Sequence, residues 1–193
     1  MKLAVFGGTF DPIHSGHVEA AVAAADAHAL DRILVVPSGN PPHKPQTCRA
    51  SYVHRFHMVE LACCEDSRLS ASRLEEPRTD GHPHYSIDTI RRVQQTLDFA
   101  PPLRFIIGAD AFAEVSLWHA SEEVVSEVEF LVVGRPGFEL SGKPSGARIH
   151  AVSCTHSASS RLVRHRAKIG GALVDLAPPD VCAYIWEHAL YRS

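Results

Sequence analysis

The sequence predicts an α/β fold, a parallel sheet with helices on both faces, on three grounds. Short runs at 3–6, 33–36, 103–107 and 130–133 are apolar almost throughout, as strands are when both faces of their sheet are covered. A loop and then a segment with helical apolar spacing follow most of these runs, the alternation produced by parallel strands joined by crossover helices. Finally, 193 residues, 45% of them hydrophobic, can bury about 70% of the unfolded chain's surface. A core of that size needs no disulfide or zinc staple, so one domain over 1–193 is expected.

In chain order, the first strand leads into an alanine-rich helix over 16–29, and the strand at 33–36 precedes a helix over 49–64. Within that second helix Val53, Phe56, Val59 and Cys63 form one stripe, and Ile87, Ile90, Val93 and Leu97 form another in the next. Segments 67–74 and 148–152 are weaker strands. The last helix, over 178–190, opens on two prolines and an aspartate, with the acid near the positive end of the helix dipole. Its apolar residues should pack it back onto the domain. Two stretches, 37–45 (PSGNPPHKP) and 135–146, read as loops.

Composition narrows the partners. A net charge of -3 speaks against a nucleic-acid binder, which needs a cationic face to displace counterions. No stretch approaches the roughly 18 apolar residues of a membrane span, and four apolar residues before a glycine pair are too few for a secretory signal. Five cysteines, odd in number and without a CxxC, read as reduced thiols. A cytoplasmic protein with a small-molecule partner is expected, with no nucleic acid and no membrane; homo-oligomerisation is left open. His54 and His57, and His82 and His84, lack a third and fourth ligand at regular spacing, so no protein metal site is expected.

The chemistry concentrates after the first strand, in Gly7-Gly8-Thr9-Phe10-Asp11-Pro12-Ile13-His14-Ser15-Gly16-His17. Open α/β sheets bind ligands at this carboxyl end of a strand. The segment has neither the GxGxxG of dinucleotide folds nor a P-loop. Glycines let a ligand approach the backbone, and His14 and His17, three apart at a helix start, can lie on one face beside unpaired amides. That is an anion site with two tunable donors; ordinary solvated histidines are the plain alternative.

The string GGTFDPIHSGH resembles the nucleotidylyltransferase HxGH signature. With PPHK at 41–44, YSIDTI at 85–90, FIIGADAF at 105–112, Trp118, VVGRPGF at 132–138 and SSRLVR at 159–164, the chain resembles the bacterial nicotinate mononucleotide adenylyltransferases along nearly its whole length. The resemblance implies a Rossmann-like, doubly wound and mostly parallel sheet, and transfer of AMP from ATP to nicotinate mononucleotide in NAD biosynthesis. It implies Mg²⁺ held mainly by substrate phosphates, and His14, His17 and Arg164 as catalytic residues facing one triphosphate site. It implies ATP contacts from Gly7, Gly8, Thr9, Phe10, Gly108, Asp110, Ser159 and Ser160. For the mononucleotide it implies Asn40, His43, Lys44, Tyr85, Ser86, Trp118 and Arg135. Arg161 stands where the family usually has threonine, and its role is left open. The competing readings are an adenylyltransferase for nicotinamide mononucleotide or for both mononucleotides and, from a different class, a non-catalytic nucleotide-binding regulatory module. The PPHK, Trp118 and IIGAD elements argue against relatives that use phosphopantetheine or glycerol phosphate.

Overall fold

A computed structural model describes residues 1–40, 48–97, 102–134 and 143–192. Six strands, β1 (Leu3–Gly8), β2 (Arg32–Pro37), β3 (Leu69–Ala71), β4 (Leu103–Gly108), β5 (Val128–Gly134) and β6 (Arg148–Ser153), form one sheet in the order β3-β2-β1-β4-β5-β6. Every pairing is parallel. This is the doubly wound Rossmann order, and the sequence of strands reverses direction between β1 and β4. The first strand runs two residues further than its apolar run: Gly7 and Gly8 are its last residues, registered against Val36 and Pro37. Of the two weaker strands, 67–74 shrinks to the three residues of β3, whereas β6 gains Ser153.

The helices are α1 (Ser15–His28), α2 (Tyr52–Cys63), α3 (Ser86–Thr96), α4 (Ala109–Phe112), α5 (Ser121–Glu127), α6 (Ser160–Lys168) and α7 (Pro179–Glu187). They divide between two cores. Phe6, Ile33 and Leu131 look toward α1, α2, α6 and α7, packing on Ala24, Met58, Val163 and Ile185. Val5, Phe105 and Ile107 look the other way, onto Ile87, Phe112 and Val124 of α3, α4 and α5. Alternate strand residues feed opposite faces, as the pleat requires. The terminal helix does pack back: the Nδ1 of His54 on α2 lies 2.9 Å from the Tyr184 hydroxyl on α7.

One stripe is displaced from its expected position. Val53 is 69% exposed and Arg55 only 1%, because α2 turns Tyr52, Phe56, Met58, Val59 and Ala62 inward. Leu97, past the end of α3, is also exposed.

Candidate active site

The loop leaving β1 is a tight turn held from behind by buried polar groups. Phe10 has a φ of 47°, and its ring meets Phe6 and His17 edge-on at 5.3 and 5.0 Å. A side chain at Gly8 would place a Cβ 2.9 Å from that ring, which only glycine avoids. The buried Asp11 carboxylate accepts the amides of Arg49 (2.7 Å) and Ala50 (3.1 Å) and the Tyr191 hydroxyl (2.8 Å). Arg55 donates to the carbonyls of Thr9 (2.6 Å) and Ser38 (2.8 Å), joining the ends of β1 and β2. From α6, Ser160 Oγ donates to Pro12 O (2.9 Å) and Arg164 donates to Asp11 O (2.6 Å).

On this platform His14 occupies the N-cap position of α1, and its ring stacks on His17 with centroids 3.6 Å apart. The His14 amide donates to His17 Nδ1 at 3.3 Å, so a neutral His17 carries its hydrogen on Nε2. A third imidazole joins them: His156 accepts the Ala158 amide at Nδ1 (3.0 Å), which likewise leaves the hydrogen of its neutral ring on Nε2. All three line a cleft of about 210 Å³ with Gly7, Gly8 and Gly108. Burial, and then the charge of His156, lower the His14 pKa to about 4. Burial, and then His14, hold His17 well below its ordinary value. Both rings are therefore neutral at pH 7, and the site offers N–H dipoles, not fixed charge, to an incoming anion.

Burying His14 in its neutral form has a stability consequence. Above pH 6.5 the ring is neutral folded and unfolded and contributes nothing. Below pH 6.5 the unfolded chain takes up the proton first, so stability falls until the folded pKa near 4 is reached. The full gap corresponds to about 3 kcal/mol. Urea unfolding at pH 7 and pH 4.5 should show this loss, reduced in His14→Asn; an equal loss in both proteins would contradict the burial account.

The opposite core carries the other expected residues. Trp118 is half-buried, edge-on to Phe105 at 6.1 Å, and the Phe105 ring lies beneath Gly7. Tyr85 is the N-cap residue of α3, its ring 4.2 Å from that of His119, and Ser86 opens the helix. Asn40 donates to Gly81 O at 2.9 Å and accepts the His84 amide at 3.4 Å, tying the loop after β2 to the 78–84 segment. Gly108 ends β4, and Asp110 is exposed in the first turn of α4. The histidines and Trp118 thus stand on opposite faces of the sheet, at the carboxyl edge of β1 and β4, with glycines between them.

Residues 5–166 match the family model described as cytidylyltransferase-like. Over its whole length the chain is 46% identical to all of the probable nicotinate-nucleotide adenylyltransferase of Solibacter usitatus. The chain belongs to the nicotinate-nucleotide adenylyltransferase family. The probable nicotinate-nucleotide adenylyltransferase of Thermus thermophilus is 37% identical, again over the full length of both. The fold is shared with a Plasmodium falciparum nicotinic acid mononucleotide adenylyltransferase complexed with NaAD, at a TM-score of 0.76 and 18% identity, covering 98% of this chain and 97% of that one.

Set against what resemblance to these adenylyltransferases implied, the structure gathers Gly7, Gly8, Phe10, His14, His17 and Gly108 around one cleft. Thr9 adjoins them, with its carbonyl taken by Arg55. Ser159 is the N-cap residue of α6, its hydroxyl accepting the Leu162 amide at 3.2 Å. Arg164 departs from the expectation of a shared cavity. The Asp11 carbonyl, a buried acceptor, captures its guanidinium, which lines a neighbouring cleft of about 580 Å³ and not the one lined by the imidazoles. His43, Lys44 and Arg135 lie outside the described residues. Sequence reasoning missed Arg55, Asp11 and His156. A charged residue within the buried stripe of α2 and an acid beside Pro12 were signals for the first two; His156 had none.

Proposed function

We propose that this chain transfers AMP from ATP to the 5′-phosphate of nicotinate mononucleotide, releasing pyrophosphate, with residues 1–193 acting as one nucleotidyltransferase domain. The observation that carries the reading is the neutral imidazole pair at the glycine-lined edge where β1 meets β4. A mononucleotide phosphate oxygen bonds to the α-phosphorus of ATP as the bond to the bridging oxygen of the departing pyrophosphate breaks. A phosphate with a second pKa of about 6 is already a nucleophile at pH 7, so no general base is required. What remains is positioning and stabilisation of developing charge, which His14 and His17 supply as donors.

In this reading the triphosphate lies on the α1 and α6 side, against the backbone of Gly7, Gly8, Thr9 and Phe10 and the N-terminal amides of α6 at Ser159 and Ser160. Gly108 gives it room and Asp110 accepts ribose hydroxyls. Arg164 acts as a positioning residue, holding the histidine turn through Asp11. The mononucleotide lies on the α3 side, its ring stacked on Trp118 and its carboxylate met by Tyr85 and Ser86. Asn40, His43, Lys44 and Arg135 surround the rest of it. Mg²⁺ prefers oxygen ligands, and the residues lining the histidine cleft include no carboxylate. Among the described residues no cluster of His, Cys, Asp or Glu could hold a metal. In this reading the ion would be held mainly by the substrate phosphates, where it would neutralise charge on the triphosphate. A cytoplasmic location is part of the same proposal, and no helix of the described residues is long and apolar enough to cross a membrane.

The test is kcat/KM for nicotinate against nicotinamide mononucleotide at fixed ATP, read by pyrophosphate release. Charge-assisted hydrogen bonds to the carboxylate should favour the acid by about ten- to a hundredfold. Equal values would mean dual specificity, and no pyrophosphate with either would mean a nucleotide-binding module without turnover.

A further inference from the structure

On the α3 side of the sheet one acidic side chain is buried. Glu75 is 9% exposed, and Thr89, whose hydroxyl donates to its Oε1 at 2.8 Å, is 3% exposed. Its neighbour Glu76 is exposed and paired with Arg73; among the described residues no Lys or Arg forms an ion pair with Glu75. Burial pushes the Glu75 carboxyl above its ordinary range, against the pull of the Thr89 and Ser38 hydroxyls and then of His84 and Arg92. A buried acid costs stability wherever an apolar residue could fill the same space, so its presence here calls for a reason.

The surrounding chain supplies one. β3 runs parallel to β2, so the segment 72–77 leaves the sheet at the same carboxyl edge as Gly8 and Gly108. Three bonds fasten that segment to α3 and the residue before it: Arg92 donates to Leu74 O (2.9 Å), His84 Nε2 lies 2.8 Å from Glu76 O, and Thr89 meets the Glu75 carboxyl. Its other side lies against the loop after β2. A Cβ at Gly39 would fall 2.0 Å from Glu75 O and 2.8 Å from Pro77 N, so only glycine lets the two backbones approach this closely. Thr89 stands one turn beyond Tyr85, with its amide on the Tyr85 carbonyl at 3.2 Å.

We propose that Glu75 is a positioning residue for the mononucleotide: bonded to Thr89 and packed on Gly39, it fixes the start of α3, at Tyr85 and Ser86, relative to the loop that carries Asn40. The proposal rests on the adenylylation reading above, in which those residues hold the mononucleotide while the triphosphate lies on the other face of the sheet. That division gives the pair a signature. A residue that only stabilised the fold would disturb both substrates alike, whereas losing the bond between Glu75 and Thr89 loosens the walls around one of them. Burial suits the bond to this task, because no water is at hand to replace either partner and each is left unsatisfied when the other is removed.

The experiment measures KM for each substrate by pyrophosphate release, and Kd for nicotinate mononucleotide by calorimetry, on the full chain. Thr89→Val and Glu75→Leu should each raise KM and Kd for nicotinate mononucleotide by about tenfold, the scale of one hydrogen bond to a charged group, and leave KM for ATP within about twofold of the parent. Thr89→Ser keeps the hydroxyl and should restore parental values for both substrates. The double variant should be no worse than either single one, because both remove the same bond. Equal rises for the two substrates, a lowered unfolding temperature with KM unchanged, or additive effects in the double variant would overturn the proposal and reduce the pair to a support of the fold. Thr89→Ser as impaired as Thr89→Val would overturn it too, and these two variants decide the matter if Glu75→Leu does not fold. A parent that binds the mononucleotide without releasing pyrophosphate would sink the adenylylation reading while Kd still judged Glu75; a parent with turnover and unshifted variants would sink this proposal alone. A parent that neither binds nor turns over would sink both.

Discussion

His17→Ala should lower kcat by roughly 10²–10³, the range for losing one hydrogen-bond donor aimed at charge that develops in the transition state, and should leave the unfolding temperature close to that of the parent. The size follows from how the ring is set. His17 is neutral because burial penalises its charged form, so in the proposed transfer it would stabilise the departing pyrophosphate through a fixed Nε2–H dipole. The His14 amide on Nδ1 orients that dipole before substrate arrives. A preoriented donor in a cleft of about 210 Å³ costs no reorganisation when the bond breaks. Folding should tolerate the change, because His17 lies in the first turn of α1 and alanine is the best helix former. Near-normal turnover by the variant would remove His17 from the chemistry.

The largest expected effect on stability belongs to Arg55, buried in α2. Arg55→Met should destabilise the fold by about 3–5 kcal/mol, because removing one partner from a buried charged network strands the other groups. Replacing a whole buried ion pair by apolar residues is often neutral, but here the partners are the main-chain carbonyls of Thr9 and Ser38, which no mutation deletes. For a chain of this length that loss is a drop of about 10 °C in Tm. Activity should fall at temperatures where the variant is still folded, since the Thr9 carbonyl belongs to the turn between β1 and His14. A Tm within about 2 °C of the parent would show that methionine packs the site and that the guanidinium is dispensable.

These two residues also mark the boundary of what the sequence discloses. The histidine turn was legible because its information is local: spacing places both rings on one helical face, and glycines before them mark a close approach to the backbone. The four strands β1, β2, β4 and β5 were legible because burial on both faces leaves an uninterrupted apolar run. β3 was over-read, since only Leu69–Ala71 finds a partner in β2. Arg55 was hidden because a helical stripe is recognised by apolarity, and an arginine inside it is sensible only once the ends of β1 and β2 are known to need a donor. The aim of Arg164 was equally hidden. Sequence places it one turn into α6, but whether it meets a phosphate or the Asp11 carbonyl depends on how a turn some 150 residues earlier presents its backbone.

The central claim is that transfer takes place across the edge of β1 and β4, with substrate crossing over glycines from one face of the sheet to the other. Gly108→Val tests it most directly. A Cβ at this position meets no atom within 4 Å, and the backbone, at φ −69° and ψ 148°, accepts any residue. The variant should unfold at the parent's temperature yet lose about a hundredfold or more in kcat/KM for ATP, the scale of loss when reacting groups are displaced by an ångström. Parental turnover in the folded variant would mean that no substrate crosses this edge and would contradict the account.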